Sequence, residues 1–323
     1  VREGEIKNNK ILVILGPTSS GKTGLAVQIA HKYDGEVIGA DSRQVYKYMD
    51  IGTGKDLEEY ILKSKVKGQR SKVIEYHLID VVHPNAEYNL VKYVRDSQKA
   101  IKDVLSRGKL PIICGGTGLY IQALVDGYNL SDAKPDKKLR EKLEKLNVSQ
   151  LFEKLKKINI KFAEKLNDSD RKNRRRLVRY IEISSLKEAK LPIGSLASKK
   201  NEDYNYEIIG LNPDKEILLE RIYKRIIARL EKEDMVGEVE GLHEKYGVAW
   251  KRLIYFGLEY RFITYYLLGK LSYDEMIEKL NIATRQFAKR QLTWFRRWEK
   301  QGREIKWFKD GKDALKYLSL KNK

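Results

Sequence analysis

Ile11-Leu12-Val13-Ile14-Leu15 is an unbroken apolar run of strand length, and it ends at a glycine. It predicts a strand buried on both faces. Lys22–Tyr33 carries a helical pattern. Glu36–Ala40 and Val73–Ile79 predict strands. Asn89–Ser106 predicts a helix closed by Arg107-Gly108, and Leu110–Cys114 a buried strand before Gly115-Gly116. Strands alternating with helices predict an α/β fold whose parallel sheet is covered on both faces. The pattern changes near Tyr128. Asp132 to Lys190 is rich in Lys, Glu and Leu, with apolar stripes at Leu139, Leu143, Leu146 and at Leu151, Leu155, Ile158. Pro135 suits a helix start and Asn147–Gln150 a break, so this stretch predicts an all-helical insertion. Ser195–Asn205 is polar, and Tyr206–Leu211 predicts a strand returning to the first sheet. Long helices follow to Lys300, then a last strand at Glu304–Phe308 and a short helix after Gly311. The expected domains are 1–128, the first part of the core; 129–205, the insertion; and 206–323, the rest of the core with the C-terminal helices. There is no internal repeat and no low-complexity tract.

Composition narrows the class. The chain has 323 residues, 41% apolar and 34% charged, with Cys114 its one cysteine. A lone cysteine excludes an internal disulfide framework or a cysteine-based zinc site. No apolar run approaches the roughly 20 residues of a membrane span. The first ten residues lack the apolar core of a leader peptide, so a cytoplasmic location is expected. Sixty-five Lys and Arg against 45 Asp and Glu give a net charge of +20. Such a balance favours a polyanionic partner, and general lysine enrichment is the plainer alternative.

The chemistry begins at Gly16-Pro17-Thr18-Ser19-Ser20-Gly21-Lys22-Thr23, between a predicted strand and a predicted helix. This is the phosphate-loop pattern in the context it requires. Loop N–H groups, the helix N-terminus and Lys22 attract a di- or triphosphate, and Thr23 offers its hydroxyl to Mg²⁺. The loop alone does not say whether that phosphate belongs to a nucleotide such as ATP. Two further strand ends carry polar residues: Asp41-Ser42-Arg43-Gln44 after Glu36–Ala40, and Gly115-Gly116-Thr117 after Leu110–Cys114. Ligands of open parallel sheets bind beyond such ends. Spacing leaves Asp41 open as a general base, a metal-positioning carboxylate or a turn residue. Asp80 is an alternative metal carboxylate. Thr117 suits a helix cap facing the ligand, and Gly115-Gly116 suits a tight turn.

Together with the loop, the blocks IGADSRQVYKYMDIGTGKD (38–56), YHLIDVVHPNAEYN (76–89), GGTGLYIQALVDG (115–127), DRKNRRRLVRYIEI (170–183) and AKRQLTWFRRW (288–298) resemble the tRNA dimethylallyltransferases, also called tRNA isopentenyltransferases. They occur in that family's order over most of the chain. The resemblance implies a core like that of the phosphate-loop nucleoside triphosphate hydrolases. It implies transfer of a dimethylallyl group from dimethylallyl diphosphate to the exocyclic amine of the adenosine 3′ of the anticodon, with release of diphosphate. Gly16 to Thr23 would then bind diphosphate rather than ATP, with Mg²⁺ on Thr23. Asp41 would be the base, with Lys22 and Thr23 beside it in catalysis. Asp41, Ser42, Arg43, Gln44 and Thr117 would face the flipped adenosine. Arg175, Arg176, Leu177, Val178 and Arg179 would grip the anticodon stem-loop, and Arg140 matches another tRNA-contacting position. A monomer is expected, with no membrane partner. The family also places one arginine of the segment holding Arg221 and Arg225 against diphosphate; these lie four apart on one helical face, and spacing does not choose between them.

Other features weigh the alternatives. Arg171, Lys172, Arg174, Arg175, Arg176 and Arg179 put six cations in nine residues, too dense for an ordinary solvated face. Over Thr284–Lys300, helical spacing sets Phe287, Trp294, Phe295 and Trp298 on one side, predicted as core, and Arg285, Lys289, Arg290, Arg296 and Arg297 on the other. Phe256-Gly257-Leu258-Glu259-Tyr260-Arg261 departs from the family's Ile-Gly-Tyr-Lys-Glu-like segment. Gly54-Lys55-Asp56 departs from its Ala-Lys-Pro. His77, His83 and His243 read as structural. The competing functions are a prenyltransferase acting on free adenylate, a phosphate-loop kinase and a basic RNA-binding module. The dense basic segments disfavour the first. Intact Gly16, Gly21, Lys22, Thr23 and Asp41 disfavour the last.

Overall fold

The computed structural model describes residues 9–62, 71–128, 136–185 and 204–321. Strand β1 (Lys10–Leu15) is followed by α1 (Lys22–Lys32) and β2 (Gly35–Gly39). A 3₁₀ turn, Leu57–Tyr60, leads to β3 (Ile61–Leu62), which pairs antiparallel with β4 (Lys72–Val73). Then come β5 (Tyr76–His77), α2 (Leu90–Ser106), β6 (Leu110–Gly115) and α3 (Gly118–Val125). The strand expected over Val73–Ile79 is thus broken in two. Leu78 and Asp80 adopt left-handed backbone, at φ 62 and 57°, which turns the chain out of the sheet.

The insertion contains α4 (Lys137–Glu144), α5 (Val148–Ile158), α6 (Ile160–Glu164), α7 (Asp168–Arg171) and α8 (Arg174–Ser184). Asp136, Asn147, Asn159, Asn167 and Asn173 each accept a hydrogen bond from the first turn of one of these helices. Five caps in about forty residues explain how so short a segment forms separate helices. Leu143, Leu151, Leu155, Phe162, Leu177 and Ile181 make its core. Pro135 and most of the polar stretch from Ser195 lie outside the described residues.

Strand β7 (Asn205–Leu211) returns to the sheet and is followed by α9 (Lys215–Glu231), α10 (Met235–Glu244), α11 (Trp250–Phe256), α12 (Leu258–Leu267) and α13 (Tyr273–Lys300). Strand β8 (Lys306–Phe308) and α14 (Gly311–Lys321) complete the chain. The sheet runs β5-β2-β6-β1-β7-β8, all parallel. Its central strands are almost entirely buried, with Ile11, Val13 and Leu15 packed on one face and Leu12 and Ile14 on the other. By internal contacts, residues 1–125 and 202–323 form one unit and residues 126–201 a second.

Among the described residues the sheet also buries charge, at Glu36 and at Glu207. Glu36 of β2 is 1% exposed and is held by Arg107, Lys109 and His77, the last two at 2.8 Å. Arg107 above all, with Lys109 and His77, draws its carboxyl down to about 2 against the opposing effect of burial.

Candidate functional site

The carboxyl ends of β1, β2 and β6 open into a cavity of about 840 Å³. Its wall includes Thr18, Ser19, Gly21, Lys22 and Thr23, and across from them Asp41, Ser42, Arg43, Gln44 and Thr117, with Arg221 and Arg225 of α9. Gly16, Pro17 and Ser20 lie beneath the loop, buried. A Cβ on Gly16 would stand 2.4 Å from the Leu211 carbonyl oxygen, so only glycine lets the loop approach β7.

The loop has anion-binding geometry. Ser19 and Gly21 take left-handed backbone at φ 62 and 87°, which turns successive N–H groups into a concavity. Gly21 gives α1 no side-chain cap, so the first-turn N–H groups are left for a ligand. Among the described residues, the buried Ser19 and Ser20 hydroxyls meet no hydrogen-bond partner. The Lys22 ammonium donates to the Pro17 carbonyl at 2.5 Å. Burial brings its pKa down to about 8, with Arg225 adding in the same direction.

Opposite, the Asp41 Oδ1 accepts from the Arg43 N–H at 2.8 Å and, more weakly, from the Gln44 N–H at 3.4 Å. The turn this makes also holds the carboxylate in the cavity wall. The Ser42 N–H donates to Thr117 Oγ1 at 3.1 Å, tying the turn to the β6 end. Arg43 reaches away to the Phe256 carbonyl at 2.9 Å, and Gln44 donates its amide to the Gly54 carbonyl at 2.7 Å. Asp80 is elsewhere. It faces the buried Lys55 ammonium at 2.5 Å and does not line the cavity.

The two arginines of α9 differ. Arg225 donates to the Thr18 hydroxyl, and burial lowers its pKa to about 10, helped by Arg229. Arg221 is exposed at the cavity rim. Spacing did not single out Arg229, one turn on. It is 3% exposed and bonds both oxygens of Asp56, at 2.8 and 3.1 Å. Glu59 and Glu259 also line the wall, and burial raises the pKa of each. The residue pattern gave no signal for either.

Helix α13 corrects one expectation. Phe295 and Trp298 are buried core residues, at 0% and 1% exposure. Phe287 and Trp294 are only partly buried and line the cavity. The helix rotates past the sheet, so one aromatic side serves two surroundings. Of the basic side, Arg290 also reaches the cavity wall, while Arg296 pairs with Glu299 at 2.9 Å.

In the helical unit the arginine segment is less uniform than its sequence. Leu177 is fully buried, which withdraws its side chain from any surface, and Val178 packs partly against the same core. Glu182 takes Arg140 at 2.6 and 2.9 Å and Arg179 at 3.3 Å. Arg176 pairs with Asp170, and Arg174 binds carbonyls at the end of α4. Arg175 is exposed, with no ion pair among the described residues. The histidines are engaged structurally: His77 on Glu36, His83 with the Asn85 N–H, and His243 with Val248 and the Trp250 ring.

The described residues contain no helix long and apolar enough to cross a membrane. They also contain no group of three or more His, Cys, Asp or Glu able to hold a metal. Mg²⁺ takes one or two protein oxygens and completes its shell with phosphate and water. Thr23 and the nearby carboxylates are hard oxygen donors of this kind.

The chain matches the family model described as IPP transferase over residues 44–298. It is 43% identical over 302 residues to tRNA dimethylallyltransferase 1 of Parabacteroides distasonis, spanning 94% of this chain and 93% of that one. Among solved structures it is similar to the tRNA isopentenylpyrophosphate transferase of Bacillus halodurans, with 32% identity, a TM-score of 0.62, and 94% and 90% of the two chains covered. It is also similar to a eukaryotic dimethylallyltransferase acting on tRNA, with 27% identity, a TM-score of 0.68, and 88% of this chain and 69% of that chain covered.

Proposed function

The chain belongs to the tRNA dimethylallyltransferase family, and on that premise we propose that its cavity moves a dimethylallyl group from dimethylallyl diphosphate to the exocyclic amine of the adenosine 3′ of the anticodon. The observation that carries this reading is the convergence of an anion-binding loop and a carboxylate turn on one cavity. One side can hold a diphosphate leaving group and the other can receive a proton.

The adenine amine is a weak nucleophile because its lone pair is delocalised into the ring. As the nitrogen–carbon bond forms, the allylic carbon–oxygen bond breaks, the amine proton passes to Asp41, and diphosphate leaves. A positioned base typically contributes about 10²–10⁴-fold. Lys22, the loop N–H groups, the Ser19 and Ser20 hydroxyls and Arg225 receive the charge growing on diphosphate. Mg²⁺, held by Thr23 and diphosphate oxygens, would add further neutralisation of that charge. Arg221, exposed at the cavity rim, would meet the outer phosphate. Phe287 and Trp294 keep water from the allylic carbon, which gains cation character. The target base must leave its stack to enter, and Ser42, Arg43, Gln44 and Thr117 form the wall it would meet. Arg175, Arg176 and Arg179, with Arg140 and Val178 beside them, take the anticodon stem-loop. A monomer working in the cytoplasm is part of this proposal.

The test is transfer of radiolabelled dimethylallyl diphosphate, with Mg²⁺, to an anticodon stem-loop with adenosine 3′ of the anticodon, and in parallel to AMP. Label on the stem-loop alone is expected. Label on AMP would move the reading to a free-nucleotide enzyme. Label on neither would refute prenyl transfer and make ATP the next ligand to test.

A further inference from the structure

Gln291 is 6% exposed on α13, more than 170 residues from either of the loops it touches. Its Oε1 accepts the Thr18 N–H at 2.8 Å, and its Nε2 donates to the Gly116 carbonyl at 3.0 Å. One partner is a donor and the other an acceptor, so a primary amide serves both; a carboxylate or an apolar isostere cannot. Thr18 is the leading edge of the phosphate loop, and Arg225 holds its hydroxyl. Beyond Gly116 the connection continues: Thr117 Oγ1 accepts the Ser42 N–H beside Asp41. A turn further along α13, Trp294 Nε1 donates to Gln122 Oε1 at 3.0 Å. The fit at Gly116 is close, since a Cβ there would stand 2.2 Å from the Gln291 Nε2.

We propose that Gln291 is a positioning residue that sets the spacing between the diphosphate loop and the Asp41 turn. Gln291 also lines the cavity, and in this role it acts through its two loop partners. It fixes where the leaving group and the base stand relative to each other, through Thr18 on one side and Gly116, Thr117 and Ser42 on the other. In-line displacement is sensitive to that spacing, and a misplacement of about 1 Å costs on the order of 10²-fold in rate. This inference rests on the prenyl-transfer reading of the site.

The experiment compares wild type, Gln291→Met, Gly116→Ala and the double variant. Met keeps most of the packing and removes both hydrogen bonds. Gly116→Ala pushes on the same amide from the other side, and it reads the clamp alone if Gln291→Met folds too poorly to assay. The expected result is a kcat about 10- to 100-fold lower in each single variant. The KM for the stem-loop should hold, and the double variant should be no worse than the singles, because both break one device. An unchanged kcat, a loss that only tracks the unfolded fraction by thermal melting, or multiplicative losses would overturn the proposal. Binding of inorganic diphosphate, measured by calorimetry without any acceptor, should weaken by up to about tenfold in Gln291→Met, the worth of one lost hydrogen bond. If wild type fails to prenylate, the functional reading falls, and this binding measurement still decides whether Gln291 positions the loop.

Discussion

Asp41→Asn separates the base from the turn it stands in. The Asp41 Oδ1 accepts two backbone N–H groups, at 2.8 and 3.4 Å, and an asparagine Oδ1 accepts the same two. The variant therefore keeps the turn, the Ser42 link to Thr117 and the wall facing the acceptor. Its melting temperature and its affinity for the stem-loop should match wild type. It loses the oxygen that takes the amine proton. Removing a positioned base costs about 10²–10⁴-fold, or roughly 3–5 kcal/mol of transition-state stabilisation. The assay is single-turnover transfer of labelled dimethylallyl from a preformed enzyme–stem-loop complex, which isolates chemistry from product release. Raising Mg²⁺ should not restore the rate; restoration would mean that Asp41 positions the metal instead. A single-turnover rate within twofold of wild type would refute proton acceptance by Asp41. Asp41→Ala is the poorer probe, because it also orphans the turn N–H groups at about 1–3 kcal/mol each when buried.

The remaining predictions concern charge and packing. Lys22 sits near pKa 8 in the free loop, lowered by burial, so it is largely charged below that pH and must take up a proton to hold diphosphate above it. Diphosphate affinity relative to Lys22→Met, measured by calorimetry, should therefore fall from about pH 8 upward; a constant ratio to pH 9.5 would exclude Lys22 as the phosphate cation. Glu36 has its pKa drawn from 4.5 down to about 2, chiefly by Arg107. A depressed carboxyl stabilises the fold above its unfolded pKa and loses that contribution as pH falls through its folded one. Wild type should exceed Glu36→Gln by about 3 kcal/mol in urea unfolding at pH 7, and the two should converge between about pH 4.5 and 2. Arg175→Ala with Arg179→Ala should raise the KM for tRNA and flatten its log–log salt slope by about 1.5; an unchanged slope would make the segment ordinary surface. Trp298→Ala should cost about 3–5 kcal/mol of stability, whereas Trp294→Ala should lower kcat more than it lowers the melting temperature.

What the sequence disclosed follows from how local each signal is. Strands β1, β2, β6 and β7 are short apolar runs closed by glycine or polar residues, and they pair in the sheet within a residue or two of their expected bounds. The phosphate loop needs only its own eight residues and its flanking strand and helix. Asp41 was visible because it follows a strand end. Val73–Ile79 misled because its composition suits one strand, while its start pairs antiparallel with β3 and Tyr76–His77 joins β2 in the main sheet. Leu177 read as part of a basic grip because its neighbours are arginines, yet helical phase turns it into the insertion's core. Trp294 and Trp298 share a helical side, and only the tertiary packing of α13 separates cavity from core. Arg229 carried no local mark, and Gln291, though inside the 288–298 block, carried none of what it bonds: each has partners about 170 residues or more away.

The departure at Gly54-Lys55-Asp56 shows the same dependence in another form. Read along the chain, it is three residues where the family resemblance implies Ala-Lys-Pro. In space two of the changes belong to one side chain. A Cβ on Gly54 would stand 2.5 Å from an Arg229 guanidinium nitrogen, and its φ of 65° is itself left-handed. Alanine there would have to displace Arg229 and accept a strained backbone. Asp56, in the position of proline, supplies the carboxylate that takes Arg229 at 2.8 and 3.1 Å. The unchanged Lys55 is buried at 1% and pinned by Asp50, Asp80 and the Tyr46 carbonyl, so the turn between the Asp41 wall and the 3₁₀ segment cannot slide. Arg229 in turn lies beside Arg225 and lowers its pKa. The Asp56 carboxylate thus stands against Arg229, the neighbour of the arginine that holds Thr18.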